Sequence, residues 1–265
     1  MKLVDVHCHL DDSRFDKDLN EVLKRFEDRG GEVLVTSGVN RVSNRRVLEL
    51  ARKYEVVRAA FGVYPIDALA GEVDESVLHR KLEVFDVDEE LDWIREHEDE
   101  CVAVGEIGLD YNWEEFSDGE MREKQKEVFR KCLRLAREMD KVVVIHSRKA
   151  EADAIEILED EGMEKVVMHC FNGKRALIRR CVENGWSFSV PAVISRLEHF
   201  KMLVEMVPLG QVLTETDAPY LSPVAGERNE SANVLVTLKE IARIKEMGVE
   251  DVAGKIWENF ERLFY

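Results

Sequence analysis

Short runs rich in valine and isoleucine alternate with longer amphipathic stretches along all 265 residues. The short runs have the composition of buried strands, and the longer stretches repeat their apolar residues at helical spacing. The predicted strands are 4–6, 32–36, 56–61, 101–104, 142–145, 165–168, 186–190 and 211–214. The predicted helices are 14–29, 43–54, 88–97, 117–139, 150–161, 174–184, 196–206, 231–247 and 249–264, the fourth opening on a capping box at 117–120. The weakly patterned residues 66–87 are predicted as loops or a short helix.

This alternation indicates a parallel sheet covered by helices, because several predicted strands are almost continuously apolar. Eight repeats favour a closed (β/α)8 TIM barrel over an open doubly wound sheet. The first strand is not followed by the glycine-rich turn that dinucleotide-binding folds carry. No linker or repeat divides the chain, so we predict a single α/β barrel domain over residues 1–265.

Composition narrows the possible functions. A net charge of −17 argues against a protein that holds nucleic acid through a broad basic surface. The five cysteines are scattered without a Cys-X-X-Cys pair, so we expect no disulfide framework or zinc ribbon, and a reducing cytoplasm fits. No apolar run approaches the roughly 18 residues of a membrane helix, and the N-terminus does not resemble a signal peptide.

Histidines and carboxylates gather at the predicted carboxyl ends of the strands. His7 and His9 close the first strand, and alternation along a strand points both imidazoles the same way. Each residue alone has an ordinary structural explanation, such as a hydrogen-bonded histidine or a capping carboxylate. The carboxyl ends of barrel strands meet at one mouth, however, so together they predict a metal site. The predicted ligands are His7, His9, Glu106, His146, His169 and Asp217.

Six protein ligands exceed what one catalytic ion needs. They suit two divalent ions that share a bridging carboxylate and activate a water together. The ligand types leave the metal open among zinc, manganese, nickel and magnesium.

Six stretches of the chain resemble the TatD-type deoxyribonucleases, which belong to the amidohydrolase-like barrels. The stretches cover nearly the whole chain and lie at 5–12, 105–111, 145–148, 169–173, 214–221 and 226–230. The resemblance implies that His7, His9 and Asp217 hold one metal ion and that His146 and His169 hold the other. It also implies that Glu106 bridges the two ions and that Asp217 orients or deprotonates the attacking water, which makes Asp217 and Glu106 the catalytic residues.

One departure concerns the loop after the third strand, where Tyr64 stands at the place of a family histidine. A phenol donates a hydrogen bond but carries no positive charge at neutral pH. The other predicted substrate-binding residues are Arg148, Arg228 and Asn229, near the barrel mouth. The two arginines are suited to this role because arginine pairs well with phosphate oxygens.

The leading hypothesis is therefore a two-metal phosphodiesterase. Its substrate would be a single-stranded DNA end, trimmed in the 3′ to 5′ direction, or a small phosphodiester. The alternative is a hydrolase of a small amide, ester or lactam, because the same ions polarise a carbonyl group equally well. A metal-dependent scaffold without enzymatic activity is a third class, although no sequence feature favours it. We expect no membrane association and no obligate protein partner.

Overall fold

The structure is a computed structural model that describes residues 1–72, 82–112 and 119–265. Within these ranges, eight strands form one sheet in sequence order, and each pairs with the next in parallel. The strands are β1 (Leu3–Cys8), β2 (Gly31–Ser37), β3 (Val57–Phe61), β4 (Cys101–Asp110), β5 (Val142–Arg148), β6 (Val166–His169), β7 (Ser187–Val190) and β8 (Val212–Thr214).

The last strand returns to the first and nearly closes the sheet. The Thr214 hydroxyl donates to the Val4 carbonyl at 2.6 Å, and the Asp217 amide donates to the His7 carbonyl at 2.9 Å. The predicted (β/α)8 barrel is thus confirmed, and the carboxyl ends of β8 and β1 are neighbours at its mouth.

Helices follow the strands and cover the outside of the barrel. They are α1 (Leu19–Glu27), α2 (Arg41–Lys53), α3 (Val87–Glu96), α4 (Gly119–Glu138), α5 (Glu151–Asp160), α6 (Arg175–Glu183), α7 (Glu198–Met206), α8 (Val234–Lys245) and α9 (Val249–Phe264). Their apolar faces and the buried strands form one continuous hydrophobic core. Among the described residues, no helix combines the length and apolar character that crossing a bilayer requires.

Two predicted elements differ most in extent from the structure. The helix predicted at 14–29 is split into a 3-10 turn, Ser13–Phe15, and α1, because the Asp12 carboxylate accepts the Arg14 amide at 2.8 Å and caps a separate turn. Strand β4 continues six residues beyond the predicted 101–104, since its polar second half is as buried as its apolar first half.

Parts of two predicted segments lie outside the residues that the structure describes. Residues 117 and 118 of the capping box lie outside the described residues, as do 73–81 of the weakly patterned stretch. The described part of that stretch contains a 3-10 turn at Asp67–Leu69 and the first residue of α3, Val87.

Candidate metal centre and active site

Glu106 lies at the centre of the barrel mouth, almost fully buried on β4. Its Oε2 atom is 3.7 Å from His7 Nε2 and 3.5 Å from His9 Nε2. Its Oε1 atom is 2.7 Å from His146 Nδ1 and 3.7 Å from His169 Nε2. One carboxylate therefore presents a different oxygen to each of two histidine pairs.

Asp217 faces the first histidine pair from the turn that follows β8. Its Oδ1 atom is 3.5 Å from His7 Nε2 and 3.4 Å from His9 Nε2. The backbone at Asp217 is left-handed, with a φ of 54°, which turns the chain back toward β1. Two sets of ligand atoms lie within 4.8 Å of one another: those of His7, Glu106 and His169, and those of His7, His9 and Asp217.

Hydrogen bonds on the far side of three imidazoles fix their orientation. The Nδ1 atom of His7 lies 3.0 Å from the Ser37 hydroxyl, and His9 Nδ1 donates to the Ser37 carbonyl at 3.0 Å. His169 Nδ1 donates to Glu215 Oε2 at 2.8 Å. The Nε2 atoms of all three rings therefore point toward Glu106. Such outer partners are the usual means of orienting histidines that bind metal.

One unsatisfied atom indicates that the cluster fits a divalent metal ion. Among the residues that the structure describes, the buried His7 Nε2 atom has no hydrogen-bond partner. A buried polar atom without a partner is costly, and a bound cation would satisfy it. Imidazole and carboxylate are also the donor set that zinc and related ions accept.

The carboxylates and imidazoles shift one another's proton affinities. Burial would raise the pKa of Glu106, but His146, His7 and His169 outweigh it and hold the pKa below its ordinary range. Burial would lower the pKa of His9, but Asp217 and Glu106 raise it to about 10. Burial would likewise lower the pKa of His146, but Glu106 and Asp110 raise it to about 9. Without a cation, the imidazoles of His9 and His146 therefore retain their protons at neutral pH, and a metal ion must displace those protons in order to bind.

Comparison with known proteins places the chain in a family. The family model described as TatD related DNase matches residues 4–265. The chain belongs to the TatD-related DNase family. Its membership confirms the resemblance seen in the sequence and the expectation of a metal-dependent hydrolase that acts on ester bonds.

Relatives of this TatD-family chain match it from end to end. An uncharacterized metal-dependent hydrolase, YabD of Bacillus subtilis, is 36% identical over 99% of this chain and 98% of its own length. The human deoxyribonuclease TATDN3 is 33% identical over 99% of this chain and 94% of its own. The crystal structure of YJJV, a TatD homologue of Escherichia coli, superposes with a TM-score of 0.84 at 25% identity, covering 99% of this chain and 97% of that one.

Asp110 is a site neighbour that sequence reasoning missed in this TatD-family barrel. Its Oδ2 atom lies 3.1 Å from His146 Nε2 and accepts a hydrogen bond from the Tyr64 hydroxyl at 2.8 Å. The same hydroxyl lies 3.2 Å from His146 Nε2. Tyr64 thus contacts a predicted ligand directly. The available signal was alternation, because Asp110 stands four positions after Glu106 and shares its face of the strand.

Glu215 is the second residue that was missed. Its buried carboxylate accepts hydrogen bonds from His169 Nδ1 at 2.8 Å, the Cys170 amide at 3.0 Å and the Ser189 hydroxyl at 2.5 Å. It therefore joins the ends of β6, β7 and β8. Its position two residues before Asp217 was visible in the sequence, but its partners were not.

Asp5 anchors the loop that carries Asp217. Its carboxylate accepts the Thr216 amide at 3.0 Å and the Thr216 hydroxyl at 2.5 Å. Burial raises the pKa of Asp5 to about 7, although these hydrogen bonds oppose the shift.

The three other predicted substrate-binding residues lie in different surroundings. Arg148 is exposed at the end of β5. Arg228 forms a bidentate ion pair with Asp18, at 2.5 and 2.8 Å, and donates to the Arg14 carbonyl. Asn229 is fully buried and donates to the Thr216 carbonyl at 2.8 Å. Arg228 and Asn229 therefore hold the β8 loop in place, whereas Arg148 faces solvent at the mouth.

Proposed function

We propose that this TatD-family enzyme is a two-metal deoxyribonuclease that releases nucleotides from the 3′ end of single-stranded DNA. The supporting observation is the divided carboxylate of Glu106, which turns one oxygen to each of two histidine pairs. The name of the human relative, a deoxyribonuclease, agrees with a DNA substrate. The whole chain, residues 1–265, would act as one hydrolase barrel.

The proposed ligands divide into two sets around Glu106. His7, His9 and Asp217 would hold one ion, His146 and His169 would hold the other, and Glu106 would bridge them. Two divalent ions, when bound, lower the pKa of a shared water and neutralise charge on the phosphoryl oxygens. The imidazole-rich set favours a transition-metal ion such as zinc or nickel over magnesium.

The catalytic roles follow from the charge state of the two carboxylates. Burial would raise the pKa of Asp217, but His7, His9 and His169 hold it below its ordinary range. Asp217 is therefore ionised at neutral pH and can accept a proton from the attacking water. Its side chain is 16% exposed, so it borders the open mouth through which the water enters. Glu106 is more deeply buried and would act by holding the two ions in place.

Tyr64 and Arg148 are the proposed substrate contacts. The Tyr64 hydroxyl, beside His146, could donate to a phosphate oxygen by exchanging its present acceptor, Asp110, and the exposed Arg148 guanidinium can pair with another phosphate oxygen. Arg228 and Asn229 would support binding indirectly, by holding the loop that carries Asp217.

Hydrolysis of a small amide, ester or lactam is the second candidate. It is favoured by Tyr64, because a neutral phenol beside His146 suits an uncharged carbonyl substrate better than a cationic side chain would.

The test is nucleotide release from single-stranded oligonucleotides labelled at the 3′ or the 5′ end, with metal-reconstituted protein. We expect early loss of the 3′ label, and loss of activity in Asp217→Asn. Asp92→Asn, the same change on the exposed surface of α3, is the matched control. Faster turnover of a carbonyl panel than of either oligonucleotide would instead support the second candidate.

A further inference from the structure

The mouth of the barrel has an uneven charge distribution. The end of β5 and the loops after β5, β6 and β7 carry four exposed cations and no carboxylate before the next helix begins. We call these four residues the cationic rim: Arg148, Lys149, Lys174 and Arg196. The loops after β8 and β1, which follow β7 around the barrel, carry several acids, including Asp11, Asp12, Glu227 and Glu230.

Rim cations differ from most others on this acidic protein. Elsewhere lysines and arginines commonly pair with carboxylates, as in Lys24–Asp28 and Arg52–Glu100. Within the described part of the chain, no rim residue lies within 4.0 Å of a carboxylate oxygen. Nearby ion pairs, such as Lys126–Asp153 and Arg180–Glu159, involve other cations. The acid that opens α7, Glu198, is already paired with Lys201 at 2.6 Å.

Parallel strands bring the rim residues together. β5, β6 and β7 are adjacent in the sheet, so the loops at their carboxyl ends lie side by side. Strand β6 ends in the predicted ligand His169, and β5 continues just past the predicted ligand His146. The four unpaired cations therefore lie on neighbouring loops along one edge of the mouth, beside the strands that carry His146 and His169.

We propose that the cationic rim binds the sugar–phosphate backbone of a single-stranded nucleic acid whose terminal phosphodiester lies at the metal centre. The inference rests on the proposed function and adds a path for the strand. Unpaired lysine and arginine side chains bind phosphates without the loss of an existing ion pair. A row of them follows a backbone, as in other sites for single strands. The net charge of −17 is compatible with this site, because the rim is local and its loops lack acids.

The experiment measures the affinity of metal-loaded protein for a labelled strand of about 12 nucleotides. Phosphorothioate linkages protect the strand from hydrolysis, and the dissociation constant is followed by fluorescence anisotropy over a range of salt concentrations. The rim variant is Lys149→Ala/Lys174→Ala/Arg196→Ala. The matched control removes two lysines and one arginine from helix surfaces away from the mouth, as Lys53→Ala/Lys239→Ala/Arg243→Ala.

We expect the rim variant to bind at least about 10-fold more weakly near 0.1 M salt. The slope of log affinity against log salt should also be smaller in magnitude by about 2, because each lost phosphate contact removes about 0.7. The control should retain the wild-type slope, as should Lys149→Arg/Lys174→Arg. Equal slopes for the rim and control variants would overturn the proposal.

Hydrolysis of bis(4-nitrophenyl) phosphate by the same wild-type preparation separates the two proposals. If the wild type cleaves neither this diester nor DNA, while the salt slopes still differ, the proposed function fails and the rim stands. If it cleaves both and the slopes agree, the rim fails and the function stands.

Discussion

Glu215 offers a sharp test of how the fold supports the metal centre. We expect Glu215→Gln to weaken metal binding about 10- to 100-fold, the usual effect of removing a carboxylate behind a metal-bound histidine. The reason is that His169 would lose a charged acceptor that fixes its ring and raises its basicity. The loss corresponds to about 1.4 to 2.8 kcal/mol of binding free energy.

The structure also shows why the isosteric amide cannot replace the carboxylate. Oε2 accepts from both His169 and Ser189, while Oε1 accepts from the Cys170 amide. A glutamine has one oxygen, so at least one buried donor would face an NH2 group. In the better orientation only the Cys170 amide loses its acceptor, at a cost of about 1 to 3 kcal/mol. In the other orientation both His169 and Ser189 lose theirs.

Competition with a chromophoric zinc chelator measures the affinity directly, without any dependence on substrate. Glu227→Gln, the same change at an exposed position of the β8 loop, is the control and should leave the affinity unchanged. An affinity of Glu215→Gln within twofold of the wild type, in a folded protein, would refute the assigned role of Glu215.

Three further predictions concern metal and pH. Chelation with EDTA should lower the melting temperature by about 5 to 10 °C, because metal binds mainly the folded state; an unchanged melting temperature after confirmed metal loss would contradict this. Metal affinity should rise with pH up to about 10, because pKa values near 10 for His9 and 9 for His146 mean that binding releases protons; a chelator titration at several pH values would show it, and a flat profile would exclude it. Arg134 and Arg130 outweigh the opposing effect of burial and lower the pKa of Glu161 below its ordinary 4.5. The stabilisation from Glu161 is therefore complete above that value and is lost as pH falls through the folded pKa. Glu161→Gln should accordingly lower the urea midpoint at pH 7 more than at pH 3, and equal losses at both would argue against the ion pairs.

Much of this molecule was predictable from local patterns. The alternation of apolar runs and amphipathic stretches predicted the barrel, because strand and helix impose different periods on a sequence. The placement of His7, His9, His146 and His169 at strand ends predicted their convergence, because parallel strands bring their carboxyl ends to one edge. Short buried polar segments were harder, and the second half of β4 was missed because its glycines and carboxylates interrupt the apolar run that marks a strand.

The sequence by itself therefore determined the fold class and the four histidines and two carboxylates that gather around the metal centre. Only the tertiary structure decided how they are arranged: that Glu106 divides its oxygens between two histidine pairs, and that Glu215 supports His169 from 46 residues away. It also showed Arg228 and Asn229 engaged in holding a loop. The physical reason is that periodicity is a local property of the chain, whereas hydrogen-bond partners depend on the register of the strands and on the packing of distant loops.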